Sequence, residues 1–320
     1  MRSRWAPPAV LSLAVAVVAA SGALILSAAD VHAHYRAEAP AAANVLRTGP
    51  AIPMPQITPA PVPTPQAPKY TAEQLASDVD ALAQDAGAEV GVSLVQLTPA
   101  GPAAWSVNGD QKFTAASTYK LPILMWEAQQ IASGAASPSD LLCYQDSDYE
   151  DGWFDDYADG SCFTRQELAQ RVGTYSDNTA AHILADEIGG TDAVNAYAAA
   201  HGVADPELMD PNAASSSDLA ALWTDEAEGR AGGATAQAWL YPLLTNTQYE
   251  AGIPAGAPAG ATVVHKVGFI DSVVNDAALV LNGPSGPYVL VVMTDGPGGD
   301  AGYSLIAQIS SRVSTYEAAR

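Results

Sequence analysis

The chain has 320 residues, of which 48% are apolar and 15% charged, a balance that suits a folded core rather than a disordered polymer. Formal net charge is −22, and residues 70–320 alone hold 33 acids against 8 lysines and arginines. A surface of that sign repels phosphate backbones, which excludes nucleic acid as a partner.

The N-terminus reads as a targeting segment. Arg2 and Arg4 precede an uncharged run of 21 residues from Ala9 to Ala29, closed by Asp30. About 20 apolar residues span a bilayer, whereas secretory signal cores hold roughly 7–15. Val31-His32-Ala33 nevertheless offers small residues of the kind a signal peptidase reads. Residues 1–36 are therefore expected to be a signal sequence or a single-span membrane anchor, with the anchor favoured. N-terminal arginines leave the remainder extracytoplasmic in both cases, membrane-anchored or secreted. Residues 37–69 carry nine prolines among many alanines, the composition of a semi-rigid, extended linker.

One globular domain is expected over residues 70–320. Thr71 and Gln74 make a capping box ahead of an amphipathic helix that runs to Ala86. Glu89 to Leu97 and Ala103 to Val107 read as strands about a Pro-Ala-Gly-Pro turn. Helices are predicted from Ser117, from Thr164 to Val172, from Thr179 to Ile188 and from Thr191 to His201. Ala261 to Val267, Ser272 to Leu281 and Tyr288 to Thr294 are β-rich, the last two joined through Asn282-Gly283 and Ser285-Gly286. A helix from Ala301 to Ala319 closes the chain. Early and late strands around a helical centre predict an α+β fold, an antiparallel sheet flanked by helices plus an all-helical subdomain.

Cys143 and Cys162 are the only cysteines. In an exported chain they are expected to pair, a closure worth about 3 kcal/mol in the chain-entropy model. The segment between them is acidic. Asp146, Asp148 and Glu150 have the alternate spacing of a calcium loop, but Asp151 stands where the sharp-turn glycine belongs and Gly152 follows it. A solvated, stapled loop is the expectation. The five histidines (His32, His34, His182, His201, His265) show no paired spacing, so neither a metal nor a cofactor is expected.

Three short motifs fall at the edges of these elements. Ser117-Thr-Tyr-Lys120 opens an apolar helical stretch and sets a hydroxyl and an amine on one face. An adjacent amine is what turns a weak alcohol into a nucleophile. Ser176-Asp177-Asn178 lies between two helices, where its residue types also suit a helix cap. His265-Lys266-Val267-Gly268 closes a strand.

In this order, Ser-x-x-Lys, Ser-Asp-Asn and Lys-x-Gly resemble the motif triple of class A β-lactamases and penicillin-binding proteins. The 59-residue spacing from Ser117 to Ser176 resembles that of class A enzymes, as does the flow of Ser176-Asp-Asn-Thr-Ala-Ala-His-Ile-Leu into Gly189-Gly190. The resemblance covers residues 70–320. It implies that Ser117 Oγ attacks a strained or D-Ala-type amide carbonyl and forms an acyl-enzyme. Lys120 would take the proton, its pKa lowered by burial and a nearby cation. Lys266 would be that cation and would suit a substrate carboxylate. Ser176 would relay a proton to the leaving nitrogen, and Asn178 would bind the substrate's side-chain amide. The backbone N–H groups of Ser117 and of Phe269, the residue after Gly268, would form the oxyanion hole.

Two departures bear on rate. Val267 replaces the family's usual Thr or Ser and cannot donate to a substrate carboxylate, a loss of about 1.5–3 kcal/mol in binding. The stretch from Gly202 to Asn212 is short for an Ω loop. Within it Asp205-Pro206-Glu207-Leu208 resembles the usual acidic-Pro-acidic-Leu run, with Asp205 as the deacylation base and Glu207 as the alternative. The implied function is an exported, monomeric serine hydrolase that opens β-lactam amides. A D,D-peptidase acting on peptidoglycan and a non-catalytic wall-binding module are the alternatives.

Overall fold

A computed structural model describes residues 70–98 and 101–320; the targeting segment and linker expected over residues 1–69 lie outside the described residues. Among the described residues no helix is long and apolar enough to cross a membrane.

Helix α1 (Ala72–Ala86) starts at the expected capping box. Gln74 N–H donates to Thr71 Oγ1 at 3.3 Å, and Thr71 N–H to Gln74 Oε1 at 2.9 Å. Gly87 ends it at φ 64°, a left-handed turn in which glycine meets no Cβ penalty. Strands β1 (Glu89–Thr98), β2 (Gly101–Val107) and β3 (Lys112–Thr114) come next. A 3₁₀ turn over Ala116–Tyr119 leads into α2 (Lys120–Ser133). The disulfide Cys143–Cys162 then joins β4 (Leu141–Cys143) to β5 (Cys162–Thr164) at directly opposed positions.

Helix α3 (Arg165–Gln170), a π-helical turn over Arg171–Tyr175, α4 (Asn178–Ile188) and α5 (Thr191–Ala200) build the helical part. Strand β6 (Ala213–Ser215), which pairs with β3, leads to α6 (Ser216–Ala227), α7 (Gly233–Leu240) and the short α8 (Ile253–Gly256). The chain ends with β7 (Val263–Ile270), β8 (Val273–Val280), β9 (Tyr288–Asp295) and α9 (Gly299–Ala319).

The main sheet is antiparallel throughout, in the order β2-β1-β9-β8-β7. Alternation along β9 divides the core. Leu290 and Val292 pack with Leu75 and Val79 of α1 and with Ile306 and Ile309 of α9. Val289, Val291 and Met293 face the other way, into a cluster with Leu121 and Leu124 of α2 and Trp223 of α6. This is the expected α+β architecture of sheet, flanking helices and helical subdomain.

The structure departs from the sequence expectation at the three segments that carry the motifs or flank them. The stretch at Ser117 begins as a 3₁₀ turn, and the helix predicted to end at Val172 widens into a π turn as far as Tyr175. The strand predicted to stop at Val267 runs on through Ile270. The acids with calcium-loop spacing take separate partners: Asp148 accepts from Gln145 N–H at 2.7 Å, Asp146 interacts with Asp159, and Glu150 pairs with His182 at 3.0 Å.

Behind β7, buried His265 ties the sheet to the segment before α8. Its Nδ1 lies 2.9 Å from Asp276 Oδ1 and its Nε2 3.2 Å from Glu250 Oε1, while Asp276 Oδ2 accepts from Ile253 N–H at 2.8 Å. Burial opposes the imidazolium, but the two carboxylates outweigh it and raise its pKa to about 9. A folded-state value above the unfolded one, near 6.5, means stability fully present below about pH 6.5 and lost as pH rises through about 9. Chemical denaturation at pH 6 and pH 10 checks this. The stability gap between the native protein and His265→Gln is expected to be larger at pH 6, and an equal gap at both values contradicts it.

Candidate active site

The 3₁₀ turn decides the geometry at Ser117. Residues three apart eclipse one another on such a turn, and Lys120 Nζ sits 3.1 Å from Ser117 Oγ. The same nitrogen donates to the Ser176 carbonyl at 2.7 Å and to Asn178 Oδ1 at 2.5 Å. Ala116, just before Ser117, takes φ 46°, a left-handed conformation that costs a residue bearing a Cβ. Such strain persists where surroundings over-determine it. Here Ala116 N–H donates to Asn212 Oδ1 at 2.8 Å and Ala115 N–H to the Asn212 carbonyl at 2.8 Å. From the sheet side, buried Asn275 donates to the carbonyls of Thr114 and Ala115 at 2.9 and 3.1 Å.

Ser176 ends the π turn at φ 63° and receives a hydrogen bond from Lys266 Nζ at 2.8 Å. Lys266 also donates to the Val267 carbonyl at 2.9 Å. Alternation along β7 turns Lys266 and Gly268 toward the Ser117 turn, and His265 and Val267 away from it. Val267 is 2% exposed. A Cβ on Gly268 would lie 2.7 Å from the Ala115 carbonyl and 2.8 Å from Ser117 N, so only glycine lets strand and turn meet. Phe269 is next on the strand and is 44% exposed at the cavity mouth.

Asp177, fully buried, clamps the disulfide loop onto this centre. Its carboxylate accepts from Ala180 N–H at 2.9 Å, Tyr157 OH at 2.6 Å, and the N–H groups of Trp153 and Phe154 at 3.0 and 3.3 Å. Asn178 Nδ2 gives one hydrogen to the Asp151 carbonyl at 2.8 Å, and its second amide hydrogen can serve a ligand. Arg171 holds the loop from beneath, pairing with Asp156 at 2.6 Å and stacking 4.3 and 4.5 Å from the Phe154 and Phe163 rings.

Both lysines are fully buried, and burial favours the neutral amine. It brings Lys120 down to about 7, although Glu150 and Asp177 pull the other way. Lys266 lies well below its ordinary value, through burial first and the charge of Lys120 second. Burial is thus the first cause of the lowering at both lysines. An uncharged Lys120 beside Ser117 Oγ can remove its proton.

Two cavities open on Ser117. One of about 550 Å³ is lined by Ser117, Asn178, Glu150, His182, Asp210 and Phe269, among others. The other, about 290 Å³, is bordered by Ser117, Ser176, Asn178, Trp153, Tyr249 and Phe269. Neither Asp205 nor Glu207 borders either cavity. The Asp205 carbonyl accepts from Lys112 Nζ at 2.6 Å, and the Glu207 carbonyl from Ala213 N–H at 2.8 Å. Asp210, with Pro211 and Asn212 after it, reaches the cavity instead. The chain offers two Asp-Pro pairs in this loop, and the second lies nearer Ser117. Asn212 and Asn275 carry no motif in the amino-acid sequence; their work is done by side-chain bonds to a distant turn.

A serine beside a buried lysine, a second serine beside a second lysine, and this sheet together define a serine hydrolase of the β-lactamase-like kind. Residues 74–317 match the model of the beta-lactamase enzyme family, and the chain belongs to it. A β-lactamase from Sphaerobacter thermophilus is 28% identical with a TM-score of 0.67, over 76% of this chain and 97% of that one. A mutant of PBP-A, in its acyl-enzyme complex with penicillin G, is 28% identical with a TM-score of 0.68, over 77% and 96%. An ancestral class A β-lactamase is 25% identical with a TM-score of 0.65, over 75% and 98%. No curated protein sequence matches significantly.

The close approach at Gly268 generates a test. Gly268→Ala would push β7 away from Ser117 N and spoil the oxyanion hole expected there. The rate at which a reporter ester acylates Ser117, monitored by intact mass, is expected to fall about a hundredfold or more. An unchanged rate in the folded variant would show that the strand is not part of that site.

Proposed function

We propose that the protein is an exported β-lactam hydrolase that works through a Ser117 acyl-enzyme. The observation that carries this reading is the 3.1 Å approach of Ser117 Oγ to a fully buried Lys120 whose pKa is brought down to about 7. Lys120 takes the hydroxyl proton as Ser117 attacks the lactam carbonyl. Ser176, receiving a hydrogen bond from Lys266, relays the proton taken up by Lys120 to the departing nitrogen, which leaves Lys120 neutral again. Asn178 offers its remaining amide hydrogen to the substrate's side-chain amide, and the N–H groups of Ser117 and Phe269 hold the oxyanion. The penicillin G adduct of the PBP-A mutant supports this substrate class for a chain of the same fold.

Export rests on the N-terminal run of residues 1–36 and on the disulfide, with residues 37–69 as a linker to a monomeric catalytic domain anchored at, or released from, the membrane. A second reading, a D,D-peptidase acting on peptidoglycan, draws on the shortened loop, because Asp205 and Glu207 stand off the cavity. The intact Ser117–Lys120 geometry gives no support to a non-catalytic wall-binding module.

A chromogenic cephalosporin separates these readings. Steady colour release beyond one equivalent is expected. A single stoichiometric burst with a persistent Ser117 adduct would favour the peptidase. Ser117→Ala should abolish both colour and adduct, and labelling that survived it would refute the nucleophile.

A further inference from the structure

The proposed hydrolysis needs a group that activates water at the acyl-enzyme; neither Asp205 nor Glu207 borders the cavities at Ser117, and of the acids between Gly202 and Asn212 only Asp210 does. The larger cavity holds another base unit. His182 Nε2 lies 3.0 Å from Glu150 Oε2, and both side chains line the cavity with Ser117. His182 stands four residues after Asn178 on α4, so the two share a helix face. Asn178 on that face already bonds Lys120. An acyl group held at Asn178 thus lies along the face from which His182 projects.

Glu150 is fixed by its own backbone. Its N–H donates to Thr179 Oγ1 at 3.1 Å, and Thr179 Oγ1 donates back to its carbonyl at 2.8 Å. Glu150 also heads the groups whose charge opposes the lowering of the Lys120 pKa, which places its carboxylate in the field of the same centre.

We propose that His182, positioned by Glu150, is the general base that activates the deacylating water. The inference rests on the acyl-enzyme reading above. With Nε2–H donated to Glu150, Nδ1 carries the lone pair, and an imidazole oriented by a carboxylate is a competent base. As water oxygen bonds to the acyl carbon, its proton passes to His182. The ester C–O bond then breaks, and Ser117 Oγ takes up the proton held by the His182 imidazolium, which returns His182 to its neutral form. The products are a carboxylic acid and free Ser117.

The test separates acylation from turnover with a chromogenic cephalosporin, reading burst amplitude, steady-state rate and the mass of quenched protein. His182→Asn is expected to keep the burst and accumulate the Ser117 adduct while turnover falls about 10²–10⁴-fold. Glu150→Gln should shift the same step by a smaller factor. Imidazole added to His182→Gly should restore turnover, a rescue that a packing role for His182 does not give. Turnover unchanged in His182→Asn would overturn the proposal, as would trapping of the adduct by Asp210→Asn alone. A native protein that acylates but never turns over would overturn it too, leaving the acyl-enzyme reading intact. No adduct in the native protein would sink both.

Discussion

The burial of two lysine side chains at one point is the constraint on which the rest of this structure depends. Taking an ammonium group out of water is costly unless it is paired or gives up its proton. Among the described residues, the hydrogen-bond partners of the two nitrogens are hydroxyls, carbonyls and an amide oxygen rather than carboxylates. Burial accordingly lowers both lysines, Lys120 to about 7, so that the amine beside Ser117 can give up its proton near neutral pH. Achieving it requires three remote pieces of chain to converge: the turn before α2, the π turn before α4, and β7. Gly268 allows the close approach of strand to turn, and Asn212 and Asn275 hold the Ser117 turn in its unfavourable left-handed entry from opposite sides.

Around that centre the disulfide loop acts as a brace. Asp177 takes four hydrogen bonds, three of them from the loop, and Arg171 fills the space beneath with its guanidinium against aromatic rings. Among the loop's acids, Asp156 pairs with Arg171 and Asp148 accepts from the Gln145 N–H. Another of them, Glu150, is turned onto His182, and both border the cavity at Ser117. The same cluster that orders the acylation centre therefore supplies the pair that can complete the cycle.

Much of this is legible in the amino-acid sequence because it obeys local rules. The capping box at Thr71 and Gln74, the alternation of the late strands, and the three ordered motifs each reside in a few consecutive residues. What escapes is non-local. That Asp210, and neither Asp205 nor Glu207, borders the cavity depends on how a loop folds against a turn almost a hundred residues earlier. Asn275 reads as an ordinary strand residue until its amide is seen to hold the Thr114 and Ala115 carbonyls. His182 has no visible partner in the sequence because Glu150 sits 32 positions away on the stapled loop.

The most direct measurement is the pH dependence of the second-order rate constant for Ser117 acylation between pH 5 and pH 10. A base that works only when neutral makes the rate rise with pH. A Lys120 brought down to about 7 by burial predicts an inflection there and a plateau above it. A rate that is flat across the range, or that climbs only toward the ordinary lysine value of about 10.4, would contradict a neutral Lys120 as the base.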